Sequence, residues 1–175
     1  MKGSVVHVGR FILVIFALAV LSGCIFHKSA GKVTEVDGEK MLLGEIAYQD
    51  ILKNFPEWQE VDEAVAVKPE VVERLKRIQT PVEIQCFLGT WCSDSRHGVP
   101  PMVKALQAAR NNNIHLTLYG VNRQKDDPKH LGPRYHIERV PTFILFRNGE
   151  EIARMVEHPL NETFAEDLLD ILKVK

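Results

Sequence analysis

The chain has 175 residues, 45% of them hydrophobic and 26% charged, a balance that excludes a disordered protein and suits one folded domain. A formal charge of −1 leaves no cationic excess to neutralise a phosphate backbone, which argues against nucleic-acid binding, and no acidic tail is present. Three cysteines, Cys24, Cys86 and Cys92, are too few for a disulfide-stapled scaffold, and their odd number asks what each one does.

Residues 1–23 carry Lys2 and Arg10 with no acid, followed by an apolar run of 11 residues from Phe11 to Leu21. That run is shorter than the roughly 20 residues a bilayer-spanning helix needs, and it fits the apolar core of a signal peptide. It ends in Leu21-Ser22-Gly23-Cys24, which resembles the lipobox of bacterial lipoproteins. The resemblance implies cleavage before Cys24 and lipidation of its thiol, with several acyl chains giving a stable membrane anchor. An uncleaved membrane anchor and a conventional secretory peptide are the alternatives. Ile25, where inner-membrane lipoproteins carry Asp, points by the same analogy to an outer-membrane anchor facing the periplasm in a Gram-negative host. Residues 24–40 then read as the lipidated cysteine and a polar tether without periodicity.

Between Met41 and Phe55, Leu43, Ile46, Ile51, Leu52 and Phe55 recur at roughly helical spacing, predicting one helix that ends near Pro56. A second helix is predicted from Pro69 through Val71, Val72, Leu75 and Ile78. Val82, Ile84, Cys86 and Leu88 alternate with Glu83, Gln85 and Phe87, the period of a strand that stops at Gly89-Thr90. A helix interrupted by Pro100-Pro101 follows from about Asp94 to Asn111, then a strand from Ile114 to Val121 and a long polar loop from Asn122 to about Arg139. Thr142–Phe146 is predicted as a strand, Asn148-Gly149 as a hairpin turn and Glu151–Val156 as the return strand. Phe164, Leu168, Leu169 and Leu172 mark a closing helix. The order predicts an α/β fold whose central mixed sheet is parallel in its first half and antiparallel in its C-terminal hairpin, with helices on both faces.

Trp91-Cys92-Ser93-Asp94-Ser95, at the end of a strand and the start of a helix, resembles the active-site segment of the thioredoxin superfamily, whose hallmark is W-C-x-x-C. Pro100, eight positions after Cys92, is similar to that family's helix proline, and Val140-Pro141-Thr142 with Asn148-Gly149 resembles its cis-proline strand and hairpin. The resemblance is strongest over residues 80–175, within a domain assigned to 41–175, and it implies a thioredoxin-like fold.

The strand-to-helix position explains why Cys92 would be reactive: unpaired N–H groups and the helix dipole favour the thiolate, the attacking species in disulfide exchange. By resemblance Trp91 would cover the site with a flat apolar surface. Pro141, if cis, would bring the Val140 backbone beside Cys92 to pair with an extended substrate segment. Ser95 stands where dithiol thioredoxins carry their second cysteine, so a self-contained dithiol cycle is lost, and its hydroxyl is expected to bond the Cys92 thiolate. Asp94 reads as a helix N-cap whose charge opposes ionisation of Cys92, whereas that of Arg96 favours it. His97 reads as a solvated surface group. Cys86 takes the place of the family's buried Asp and reads as an inert core thiol, a resolving role being the alternative. Asp126, Asp127, His130 and His136, interleaved with Lys125, Lys129, Arg134 and Arg139, read as a solvated charged loop, and no metal or cofactor is expected.

The expectation is a membrane-tethered monothiol exchange protein acting through Cys92 on exported proteins that carry disulfides or oxidised thiols, served by a reducing partner protein or small thiol. A non-catalytic holding module using the Trp91 and Pro141 surface is one alternative, and a cofactor or cytochrome assembly factor is another.

Overall fold

The computed structural model describes residues 31–174. The signal-like segment and the lipobox Cys24 lie outside the described residues. Strands β1 (Lys32–Val36) and β2 (Glu39–Ile46) form an antiparallel hairpin, followed by helices α1 (Tyr48–Asn54), α2 (Pro56–Ala64) and α3 (Pro69–Lys76). Then come β3 (Val82–Leu88), α4 (Ser93–Ala109), β4 (Ile114–Gly120), α5 (Leu131–Arg134), β5 (Thr142–Arg147), β6 (Glu150–Val156) and α6 (Phe164–Ile171). The six strands make one sheet in the order β1-β2-β4-β3-β5-β6, in which β3 and β4 run parallel and every other pair is antiparallel.

The predicted sheet, with its parallel centre and antiparallel C-terminal hairpin, is present. The N-terminal reading needs two corrections. The tether assigned to residues 24–40 is, from Lys32 onward, a strand, a turn and the start of a second strand. The helix assigned to 41–55 is strand β2 joined to the short helix α1 at Ala47. Met41, Leu42 and Leu43 are consecutive and all buried, because β2 lies inside the sheet between β1 and β4 and is covered on both faces. A strand buried on both faces loses its alternation. Leu43 and Ile46 therefore belong to a strand, and joining them to Ile51 and Phe55 bridged two elements. Pro56, read as a helix end, also opens α2 from its first turn, where a missing N–H costs nothing.

Helices α1–α4 and α6 enclose the larger core with Val82, Ile84, Cys86 and Leu88 of β3. The opposite face of β3 presents Phe87 to a smaller core of Val121, Ile137, Val140 and Ile144, closed by Leu131 and Tyr135 at either end of α5. The predicted loop after β4 thus contains a short helix, held by the buried Asp127 carboxylate, which accepts N–H bonds from Lys129, Leu131 and Gly132. Helix α4 runs through Pro100-Pro101 without a break. The prolines remove the donors that would reach the Arg96 and His97 carbonyls, but Val99, Met102, Val103 and Ala105 on the same stretch are buried and hold the helix against the sheet. Thr163 and Glu166 cap α6 reciprocally, each bonding the other's backbone N–H.

Candidate active site

Strand β3 delivers the chain to Gly89 and Thr90 in the middle of the sheet's C-terminal end. Thr90 is buried and bonded on two sides: its hydroxyl accepts from Leu42 N–H at 3.3 Å and its carbonyl accepts from Trp58 Nε1 at 2.9 Å. Strand β2 and helix α2 therefore hold the residue two positions before Cys92. Gly89 accepts from Cys92 N–H at 3.0 Å, closing the turn into α4. A Cβ on Gly89 would stand 2.6 Å from Trp91 Cε2, so only glycine lets the indole lie across this turn. The indole is pinned by its Nε1 donating to Val121 O at 3.0 Å.

Cys92 is the N-cap of α4, half-buried, with a free thiol. Its Sγ donates to the Val140 carbonyl at 3.3 Å, and the Val140-Pro141 bond is cis. The sequence expectation that Val140 and Pro141 meet Cys92 is met. The bond also engages the carbonyl expected to pair with substrate, and a thiolate, having no proton, would release it.

Two expectations for neighbouring residues are corrected. Asp94 is not the N-cap: that position belongs to Cys92, which makes no side-chain cap bond, and Asp94 sits one residue into the helix, facing Glu157 and His158. Ser95 is fully buried and its Oγ accepts from Gly89 N–H at 3.3 Å, while no hydrogen bond between Ser95 and Cys92 is present among the described residues. The turn of α4 places Ser95 inward, against β3, while Cys92 stays at the surface. His97 is exposed, with Nδ1 at 2.8 Å from the Ser93 carbonyl.

Cys86 is a free thiol with no exposed surface, facing the larger core beside Ile84 and Leu88. Burial alone pushes its thiol well above the ordinary cysteine range, which keeps it protonated and unreactive. The charged loop also divides as chemistry demands: Asp127 holds backbone donors, while Asp126 pairs with His130 at 2.8 Å.

Sequence reasoning missed Glu39, Trp58, Thr90 and Arg123. Arg123 lies with its guanidinium 4.7 Å from the Trp91 ring centroid, and its Nε and Nη2 bond the Glu39 carboxylate at 2.7 and 2.9 Å. The Glu39 bonds, and secondarily the charge of Cys92, make the Arg123 guanidinium hold its proton more firmly than usual. Asp37-Gly38 was the one local signal available, since it marks the hairpin that carries Glu39 to the site. Nothing local in the sequence pairs Trp58 with Thr90, 32 residues away.

A family model described as thioredoxin matches residues 45–166, more than half of the chain. Among solved structures, a protein of unknown function from Pseudomonas aeruginosa is 18% identical with a TM-score of 0.58, covering 74% of this chain and 92% of that one. An HIV epitope-scaffold is likewise 18% identical, with a TM-score of 0.51 and coverage of 74% and 83%. Both likenesses show the fold alone. No curated protein matches the chain.

Proposed function

Because this chain belongs to the thioredoxin family, we propose that it is a single-thiol disulfide-exchange protein of the cell envelope in which Cys92 is the attacking group. The observation that carries this reading is the contrast among three positions. Cys92 is half-exposed at the start of α4 beside the cis Pro141, Cys86 is sealed in the core, and the position of a second active-site cysteine holds the buried Ser95.

The Cys92 thiolate attacks one sulfur of a partner disulfide. A Cys92–partner S–S bond forms, the partner's own S–S bond breaks, and the electron pair leaves on the second sulfur, which takes up a proton. A second thiolate then attacks the mixed disulfide and releases Cys92. That thiolate comes from the substrate itself in isomerisation, or from a reducing partner protein or small thiol. The Val140 carbonyl, freed when the thiol loses its proton, pairs with an extended segment of the partner. Lipidation at Cys24 would tether the domain to the membrane, in a Gram-negative host at the outer membrane facing the periplasm, among exported proteins with disulfides.

The test is rapid alkylation of the full chain in its native host, followed by non-reducing electrophoresis. Covalent adducts are expected that collapse on reduction, are absent in Cys92→Ala and persist in Cys86→Ala. Adducts that survive Cys92→Ala overturn the assignment. The burial of Ser95 at the end of β3, with its Oγ accepting from Gly89 N–H, favours a second reading, a holding module in which the Cys92 neighbourhood is only structural. That reading is supported if Cys92→Ala still complements a deletion strain.

A further inference from the structure

Helix α4, the turn after β6 and the start of α6 line a cavity of about 200 Å³ to which Asp94, His97, Gly98, Glu157 and His158 contribute. Asp94, Glu157 and His158 each offer a ligand atom, and these atoms lie within 4.8 Å of one another. We propose that Asp94, Glu157 and His158 form a site for a divalent transition-metal cation.

The donors come from two elements, with more than 60 positions between Asp94 and Glu157, so the cluster is a product of the fold. Two carboxylates brought together from separate elements repel. Arg139 compensates one of them by donating to Glu157 Oε2. The backbone of the other two donors is held: Glu157 N–H bonds Pro141 O at 2.7 Å, and His158 N–H bonds Val156 O at 2.7 Å. His97 lines the same cavity without belonging to the cluster. Its Nδ1 is held by the Ser93 carbonyl at 2.8 Å, within its own helix.

Metal bonds of about 2.0–2.2 Å to oxygen and nitrogen would draw the ligand atoms together by roughly an ångström, a side-chain adjustment. Mixed carboxylate and imidazole donors suit zinc and its neighbours and do not suit calcium or magnesium. By comparison, the Asp126–His130 pair in the loop after β4 has spent its other carboxylate, Asp127, on backbone donors. A bound cation would staple the turn after β6 to the first turn of α4, whose N-cap is Cys92. The inference does not depend on Cys92 being a nucleophile.

The test titrates Zn²⁺ into the full chain with its accessible thiols alkylated, using a chelator competition for affinity and Co²⁺ absorption for coordination. Saturable 1:1 binding is expected, weakened about tenfold or more in each of Asp94→Asn and His158→Ala and unchanged in His130→Ala. Zn²⁺ should also raise the melting temperature of the wild type and leave that of His158→Ala unmoved. His158 is exposed, so its replacement leaves the fold intact. The proposal is overturned by the absence of 1:1 binding, by binding that both variants retain, or by binding seen only before alkylation, which would make a cysteine the ligand.

Discussion

The two hairpins at opposite edges of the sheet share one turn chemistry and differ in how plainly the sequence shows them. Asp37-Gly38 joins β1 to β2 with φ of +51° and +78°, and Asn148-Gly149 joins β5 to β6 with +54° and +81°. Both are two-residue turns with two positive φ angles, the geometry whose twist suits a hairpin. The second is flanked by β5, rich in buried Phe143, Ile144 and Leu145, and is visible in the sequence. The first joins an exposed strand to one buried on both faces, and neither alternates. The second likewise joins a strand with consecutive buried residues, β5, to the mostly exposed β6, and it is legible because the apolar run Phe143 to Phe146 stands beside Asn148-Gly149, whereas mostly polar residues surround Asp37-Gly38. Each hairpin also reaches the Cys92 loop from its own side: β2 through Leu42 and Glu39, and β5 with the turn after β6 through Val140 and Pro141.

If the N-terminal hairpin is as much a part of the domain as the C-terminal one, matched core truncations should cost alike. Leu42 in β2 and Leu145 in β5 are both almost fully buried in the larger core. Leu42→Ala and Leu145→Ala should each lower the unfolding free energy by about 2–5 kcal/mol, from lost transfer energy and the cavity left behind. Urea unfolding measures both. A cost under about 1 kcal/mol for Leu42→Ala would make the first hairpin an appendage and break the comparison.

A smaller effect separates bracing of the active-site loop from mere packing. Trp58→Phe keeps most of the buried ring but removes the donor to Thr90 O. A buried carbonyl left without its partner costs roughly 1–3 kcal/mol. Cys92 alkylation should also change in the variant, because Thr90 lies two residues before the thiol. An unchanged alkylation rate beside a normal stability loss would confine Trp58 to packing.

The same contrast explains what could be read in advance. From β3 to α6 the elements were legible because β3 alternates over most of its length, β5 adjoins an Asn-Gly turn, and the Phe164, Leu168 and Leu169 stripe has helical period. Cys92 and its meeting with Val140-Pro141 were legible because a local motif and a resemblance carried them. Asp94 and Ser95 were named but misassigned, since the rotation of the first turn of α4 decides whether a side chain faces the strand end or the outer cavity. Trp58, Thr90, Glu39 and Arg123 were not legible: each acts through a partner more than 30 positions away, and long-range pairing leaves no periodic mark.

The turns themselves should respond identically. A Cβ at Gly38 or Gly149 meets nothing within 4 Å, so any cost of Gly38→Ala or Gly149→Ala is conformational. Both positions have strongly positive φ, and each substitution should destabilise by about 1–2 kcal/mol. Equal losses would show that the illegible hairpin obeys the same backbone rule as the legible one. A near-zero loss at Gly38 beside a full loss at Gly149 would mean that the first turn relaxes at the sheet edge.

The smallest effect tests how each hairpin uses its ion pair. Glu39 bonds Arg123, which follows β4, so its pair crosses the sheet end, whereas Glu151 bonds Arg154 within β6 itself. The Arg154 bonds hold the Glu151 carboxyl below its ordinary value near 4.5. A depressed folded pKa adds stability that is complete above the unfolded value and is lost as pH falls through the folded one. The pair is local and over a third of the Glu151 side chain is exposed, so solvent screening limits its worth to about 0.5 kcal/mol or less. Glu151→Gln should therefore unfold slightly more easily than the wild type at pH 7, and the difference should close as the pH is lowered from 5 to below the folded Glu151 pKa. A gap that stays constant over that range would assign the effect to packing of the side chain along β6 and remove charge from the comparison.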